Sequence, residues 1–556
     1  MLSTNFSIID YLVFGFLLTA SSLIGVYFWW ITRNNATNSE FLTGDRKLGM
    51  FPVTLSLVAS FMSTNTILGA PAEVFQVGTQ FLLQNIAIVL SIILAAEVFM
   101  PIYYKLDVIS IHEYLSQRFN SKYIRLAGTV GFLLATVPYM AVVLYGPSLA
   151  LSSVTPLSIP TCILVVGLIC TFYTSIGGIK AVIWTDVLQC ILMFLGVLMV
   201  IIQGIIESNG LSEIWRINEE GGRLIFFNFK FDLYNHNNIW NVVFGTIIYW
   251  TAVYCVMQTQ VQRYCSMKSP QYARRTLYWN LPGLIIFAGM SIMCGTVLYA
   301  KYHGCDPLTL GLIERHDQLM PYFVMDTLAK YPGLPGLFVA CVFSGSLSTL
   351  SSGFNALAAV TWEDLIKDHI KLKNEKQVLT VTKIIAMCYG LLAIAMSFGV
   401  GNLGTVLQAC MALVGSMVGP ILGLYLLGIF YRRATAPGVL IAFILGVLIS
   451  LSLSIGSLVV PRPKVSLPTT LDNCPDDVIQ YAHNKFGQFL PNSTYLLSYD
   501  NPEGIAKFFH ISYLILSIIG FVVTLVLGII LSLCIGKPVK TINEELMFSF
   551  KKANKD

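Results

Sequence analysis

Charge is what this chain has least of. Only 11% of its 556 residues are Asp, Glu, Lys or Arg, where soluble domains carry about 25%. Such a chain cannot clothe a globule in polar surface, so a soluble fold is excluded. The net charge of +5 is scattered over connecting segments, and with no basic stripe no nucleic-acid partner is expected. The seven His fall at 112, 236, 303, 316, 369, 483 and 510, with no metal-ligand spacing and no nucleophile–base cluster. A phosphate-cradling G-x-x-x-x-G-K-[ST] is missing, since Gly536-Lys537 runs into Pro538. No potassium-type filter sequence occurs. Enzyme, nucleotide-driven pump and selective channel are disfavoured together, and no organic cofactor is expected.

Apolar sequence is abundant: 55% of the chain, in runs near the ~20 residues that cross a bilayer. They lie near 8–30, 49–78, 80–103, 124–152, 157–177, 182–206, 238–260, 277–300, 334–361, 379–400, 404–430, 437–460 and 510–535, so an all-α integral membrane protein with thirteen transmembrane helices is expected. The first run lacks the basic start and small-residue cleavage site of a signal peptide and reads as a retained helix. Well over half of the 34 Lys and Arg fall in alternate connections, which puts the N-terminus outside and the KKANKD tail in the cytoplasm. On this orientation the sequons at Asn5 and Asn492 are extracellular glycosylation candidates. All of the 12 Cys except Cys305 and Cys474 lie in or beside apolar runs. Those two share the oxidising side and are candidates to pair.

Polar residues inside the runs carry the functional signal. In 337–367, Ser344, Ser348, Ser351, Ser352 and Asn355 recur at helical spacing and share one face. Neutral oxygens of this kind suit a releasable monovalent cation, and sodium is the first reading; hydroxyls that simply hydrogen-bond across a helix pair are the other. In the second run Ser60, Ser63, Thr64, Asn65 and Thr66 crowd together ahead of Gly69 and Pro71, the residues that interrupt membrane helices. Freed carbonyls at bilayer depth survive only where they line a cavity. Five runs later, 238–260 holds Thr246, Tyr249, Thr251, Tyr254, Gln258 and Gln260. Two polar-interrupted helices at this offset point to a five-plus-five inverted repeat. The implied divisions are 1–30 for the leading helix, 48–206 for the first repeat and 207–430 for the second (its helices starting near 238). Two peripheral helices follow in 437–535 around an extracellular loop, 461–509, and then the tail, 536–556. Among acidic residues, Asp186 sits in the fifth core helix and reads either as a functional carboxylate or as an interfacial one. Glu73 stays open, and Glu97 reads as interfacial. No Lys or Arg falls in the middle of an assigned run, so an anionic solute would depend on half-helix N-termini, amide donors and a co-bound cation.

The segments SLVASFMSTNTILGAPAEVFQVGTQ, GGIKAVIWTDVLQ, VQRYCSMKSP and YPGLPGLFVACVFSGSLSTLSSGFNALAAVTWEDLIK resemble the sodium/solute symporter family. The resemblance is to the branch of sodium-coupled monocarboxylate, multivitamin and iodide transporters, and it implies a leucine-transporter-like core with broken first and sixth core helices. Carried over by motif, it implies a sodium site at Ala59, Met62, Gly345, Ser348 and Thr349, and a cation-pathway role for Asp186. Sugar carriers end the segment before VQR in Asp-Gln; here Val256-Met257-Gln258 stands there, so a sugar is disfavoured. The expected function is sodium-coupled import of a small organic anion across the plasma membrane, a short monocarboxylate favoured, with Thr66, Tyr254 and Gln258 lining the solute pocket. The alternatives are a biotin- or pantothenate-type vitamin, an iodide-like anion, or a non-transporting sensor. Expected partners are sodium, the solute and the bilayer.

Overall fold

The computed structural model describes the whole chain except residues 1–5, 33–36, 107, 371, 373, 402, 461, 463–464, 487–501, 539–542 and 549–556. Asn5 and Asn492 lie outside the described residues. The described residues form helices joined by short connections, with no sheet. Helix starts follow local chemistry: Ser158, Ser269 and Thr435 each cap a helix with a side-chain oxygen, with Pro in the next two positions, where its missing N–H costs nothing.

Among the described residues, ten helices are long and apolar enough to cross a membrane, and up to twelve if each of two bent pairs is one span. The thirteenth expected crossing is the shorter Ile159–Phe172. It is separated from Gly178–Glu207 by a kink at Gly178 (φ 62°). By length and composition, then, ten to twelve spans stand among the described residues, and the remaining expected one falls on this shorter helix.

The two bent pairs are Met50–Phe61 with Asn65–Val77, bent by 52°, and Trp240–Val256 with Gln258–Cys265, bent by 48°. Between them lies the serine helix, Leu334–Val360, whose side chains are almost all buried. The leading helix Ile8–Thr32 exposes most of its apolar side chains. Centrality follows from composition: a helix carrying this many hydroxyls needs protein neighbours on every side, whereas a wholly apolar one can face lipid. Gly178–Glu207 packs along the serine helix, and Lys122–Val154 covers another side. Cys305 and Cys474 form a disulfide across 169 residues of sequence.

Candidate functional site

The site is built where the first bent pair meets the serine helix. Helical hydrogen bonding stops at Met62, whose φ of −76° and ψ of 58° leave the helix, and resumes at Asn65. Carbonyls at such a stop have lost their helical donors. The serine helix supplies new ones: Ser348 Oγ donates to the Ala59 carbonyl (3.0 Å) and Thr349 Oγ1 to the Ser60 carbonyl (3.4 Å). Both hydroxyls also reach the carbonyl of Gly345, at 3.2 and 3.0 Å. Gly345 is required by a close approach, since a Cβ there would lie 2.8 Å from the Met62 carbonyl oxygen. Ala59, Ser60, Met62, Gly345, Ser348 and Thr349 thus bring carbonyl and hydroxyl oxygens into one buried cluster. A hydroxyl that donates to a carbonyl can rotate and present its lone pairs to a cation instead. Thr64, inside the break, is in close contact with Ser346, which donates to the Val143 carbonyl (3.0 Å).

Directly beside this cluster lies a buried ion pair. Asp186 Oδ2 accepts from Arg263 Nη2 (3.0 Å) and from Ser56 Oγ (2.6 Å), and the two charged side chains are 0% and 2% exposed. Asp186 is therefore no interfacial residue. Arg263 also donates to the Ser56 carbonyl (2.9 Å) and to the hydroxyls of Ser60 and Ser352. Asp186 Oδ1 has no hydrogen-bond partner among the described residues. Arg263 escaped the sequence reading, which ended the span at 260 and left it in a connection; the structure continues that span through Cys265. The signal available was the Gln-rich, break-adjacent QTQVQR segment.

A cavity opens from the cluster. It is lined by Ser60, Thr66, Gln84, Tyr249, Trp250 and Gln260 among others, with Thr349 and Ser352 on its serine-helix side and no charged residue in its wall. Of the three residues expected to meet the solute, only Thr66 lines it. Tyr254 and Gln258 require correction. Tyr254 is 1% exposed, and its hydroxyl accepts from Asn280 Nδ2 (3.3 Å), away from the cavity. Gln258 uses both ends of its amide on backbone, donating to the Ile109 carbonyl (2.6 Å) and accepting from Ile111 N (3.0 Å). It thereby holds the short helix His112–Phe119. On that helix burial pushes the His112 imidazole down to about 4, so it is neutral and pairs with the Tyr425 hydroxyl at 2.8 Å.

The chain is similar to known proteins. The chain is 41% identical over 543 residues to sodium-coupled monocarboxylate transporter 1 from Homo sapiens, covering 96% of this chain and 88% of that protein. It is 38% identical over 536 residues to the sodium-dependent multivitamin transporter of Oryctolagus cuniculus, covering 96% and 84%. In structure it resembles a Na+-coupled sialic acid symporter solved in a substrate-bound outward-open state, with a TM-score of 0.77 and 22% identity over 97% of this chain and 100% of that one. That likeness establishes a leucine-transporter-like fold. The model of the sodium:solute symporter family matches residues 41–446, and with relatives this similar along nearly their whole length the chain belongs to that family of membrane transporters.

Proposed function

We propose that the protein imports a small organic anion together with sodium across the plasma membrane, a short monocarboxylate being the favoured solute. Sodium would be held by the carbonyls of Ala59, Met62 and Gly345 and the hydroxyls of Ser348 and Thr349. The observation that carries this reading is the convergence of two serine-helix hydroxyls on carbonyls released by the first bend. Sodium is hard and monovalent, and an oxygen shell of low formal charge binds it without trapping it.

The solute reading rests on two supports. The similar proteins include transporters named for monocarboxylates, and the cavity wall carries no charged residue, setting hydroxyl and amide groups among apolar and aromatic side chains such as Phe81, Trp250 and Met411. An anion in such a wall is neutralised by the adjacent sodium and oriented by the N-terminus of the half-helix starting at Asn65. A vitamin carboxylate is the second reading, favoured by the similarity to the multivitamin transporter. Asp186 lies along the cation's further path, where an incoming ion competes with Arg263. The repeats run over 48–206 and 207–430. The N-terminus is extracellular and the tail cytoplasmic, a direction supported by the basic-residue bias and by a disulfide on the oxidising face. The sequons at Asn5 and Asn492 would be its glycosylation sites on this orientation.

An inward sodium ion gains about 2.3 kcal/mol per 100 mV, so two ions per anion give inward current. Voltage clamp of a heterologous membrane with lactate, biotin and iodide in turn, with sodium then replaced by choline, tests the reading. Lactate current that vanishes in choline is expected. Saturable lactate uptake undiminished in choline would reject sodium coupling, and current with biotin alone would transfer the assignment to the vitamin.

A further inference from the structure

The half-helix Asn65–Val77 brings Asn65, Thr66 and Ala70 to the cavity wall. At its other end the last carbonyls have no donor within the helix and carry the negative end of its dipole. Val74 keeps a local donor, the Gly78 N–H at 2.9 Å. The next two carbonyls are met from elsewhere in the chain. Arg223 Nε donates to the Phe75 carbonyl (3.4 Å), and the Gln76 carbonyl accepts from Leu467 N (2.8 Å) and Ser466 Oγ (3.4 Å). The grip continues into the turn, where the carbonyl of Arg223 accepts from Thr79 N (2.9 Å) and Thr79 Oγ1 (3.1 Å). Gly78, at φ 96°, is required there, since a Cβ would lie 2.7 Å from that same oxygen.

Arg223 is wholly buried and ties this end to two further elements. Its Nη2 donates to the Leu467 carbonyl (3.1 Å) and its Nη1 to the Gly221 carbonyl (2.7 Å), and the guanidinium lies 3.8 Å from the Tyr299 ring centre. Tyr299 belongs to Pro270–Tyr302 and packs edge-on against Phe75. The backbone of Arg223 is fixed to the same helix: its N–H donates to the Asn218 carbonyl (2.8 Å), and Asn218 Nδ2 donates to the Thr296 carbonyl (2.9 Å). Burial pulls the guanidinium down to about 10, so at neutral pH it keeps its charge against the negative end of the half-helix. Residues 466–474 form a strap pinned just beyond Tyr302. Thr470 N donates to the His303 carbonyl (3.0 Å), Thr469 Oγ1 donates to Asp306 Oδ2 (2.9 Å), and Cys474 is bonded to Cys305.

We propose that Arg223 is a positioning residue for transport: with the strap 466–474 it anchors the end of the half-helix Asn65–Val77 remote from the cavity, and through that helix it places the solute-facing Asn65 and Thr66. At about 1.5 Å per residue the half-helix is a rod of about 20 Å, so any tilt its anchor allows is carried to the cavity wall. A protein whose binding-competent arrangement is only partly populated binds its ligand more weakly in proportion. Loosening Arg223 or the strap therefore weakens solute binding, although neither touches the cavity.

The test has two arms. The first, which rests on the anion-import reading above, records lactate-evoked current. Arg223→Lys keeps the positive charge but not the planar fork that reaches Phe75, Gly221 and Leu467 together. The half-maximal lactate concentration should rise by up to about tenfold, the lower end of what one charge-assisted hydrogen bond is worth. Reducing the disulfide of the wild type with external tris(2-carboxyethyl)phosphine should shift it in the same direction, and a double Cys305→Ser, Cys474→Ser variant should not respond to the reductant. A residue that served folding alone would lower surface yield and maximal current at an unchanged half-maximal concentration, and that outcome overturns the proposal. The second arm needs no solute: hydrogen–deuterium exchange of the purified protein in lipid nanodiscs. Exchange over residues 66–80 should quicken in Arg223→Lys and on reduction, while the serine helix keeps its wild-type rate. Where Arg223→Lys is not recovered, reduction of the wild type carries both readouts. Unaltered exchange over 66–80, or an increase shared equally by the serine helix, overturns the proposal. If lactate evokes no current in the wild type, the solute reading falls and the exchange arm alone decides the anchor.

Discussion

The two bent helices turn by nearly the same angle, 52° and 48°, yet they do different things. At the first, the carbonyls of Ala59 and Ser60 meet hydroxyls from a facing helix, and a glycine on that helix lets the Met62 carbonyl close in. At the second, Met257 is extended (φ −92°, ψ 125°), Gln260 is turned to the cavity, and several other polar groups are engaged in holding neighbours. Gln258 grips Ile109 and Ile111, Gln262 Nε2 donates to the Leu42 carbonyl at 2.5 Å, and the Tyr264 hydroxyl donates to the Tyr254 carbonyl at 3.2 Å. A bend frees backbone oxygens, but what it becomes depends on the helix opposite. Hydroxyls that can rotate suit the ion site proposed for the first bend; amides already committed brace their neighbours.

The comparison can be broken first at Arg263, which ties the second bend to the first through Ser56 and Ser60. Arg263→Ala leaves Asp186 buried and unpaired, which costs about 3–5 kcal/mol. Surface yield and the thermal midpoint of the purified protein should fall sharply, and adding Asp186→Ala should recover part of the loss. A stable single variant would mean the bends are not coupled here. Next in size is the proposed sodium site. Ser348→Ala or Thr349→Ala each removes a charge-assisted oxygen contact of ~1.5–3 kcal/mol, so the half-maximal sodium concentration should rise by about 10- to 100-fold. Unchanged sodium affinity in correctly trafficked variants would reduce both bends to the same structural role.

How much was legible divides along the same line. The first bend announces itself locally, through five hydroxyl or amide residues in 60–66 followed by Gly69 and Pro71, and the serine stripe is a periodicity that a straight helix preserves. The second bend contains neither Gly nor Pro. Its extended residue resets the helical phase, so a four-residue step across it does not set Tyr254 and Gln258 on the cavity face, and Tyr249, Trp250 and Gln260 line the cavity instead. Arg263 was hidden because hydropathy falls after 260 while the buried helix continues to Cys265. The pairing of Arg263 with Asp186 joins residues distant in sequence that no local pattern connects.

The smaller predictions sharpen the side of the second bend. Gln258→Ala leaves the Ile111 N–H buried without its acceptor, at a cost of ~1–3 kcal/mol. The loss falls on the segment entering His112–Phe119, so maximal current should change while the half-maximal solute concentration stays near the wild-type value. Tyr254→Phe should do least. It removes one hydroxyl whose partner is Asn280 at 3.3 Å, a neutral hydrogen bond worth ~0.5–1.5 kcal/mol. The solute concentration for half-maximal current should therefore shift by less than about tenfold even if that whole amount reached the pocket. Since the ring that fills its buried place is kept, a larger loss of solute affinity can arise only if the hydroxyl touches the solute. That result would return Tyr254 to the pocket wall, beside Tyr249, Trp250 and Gln260.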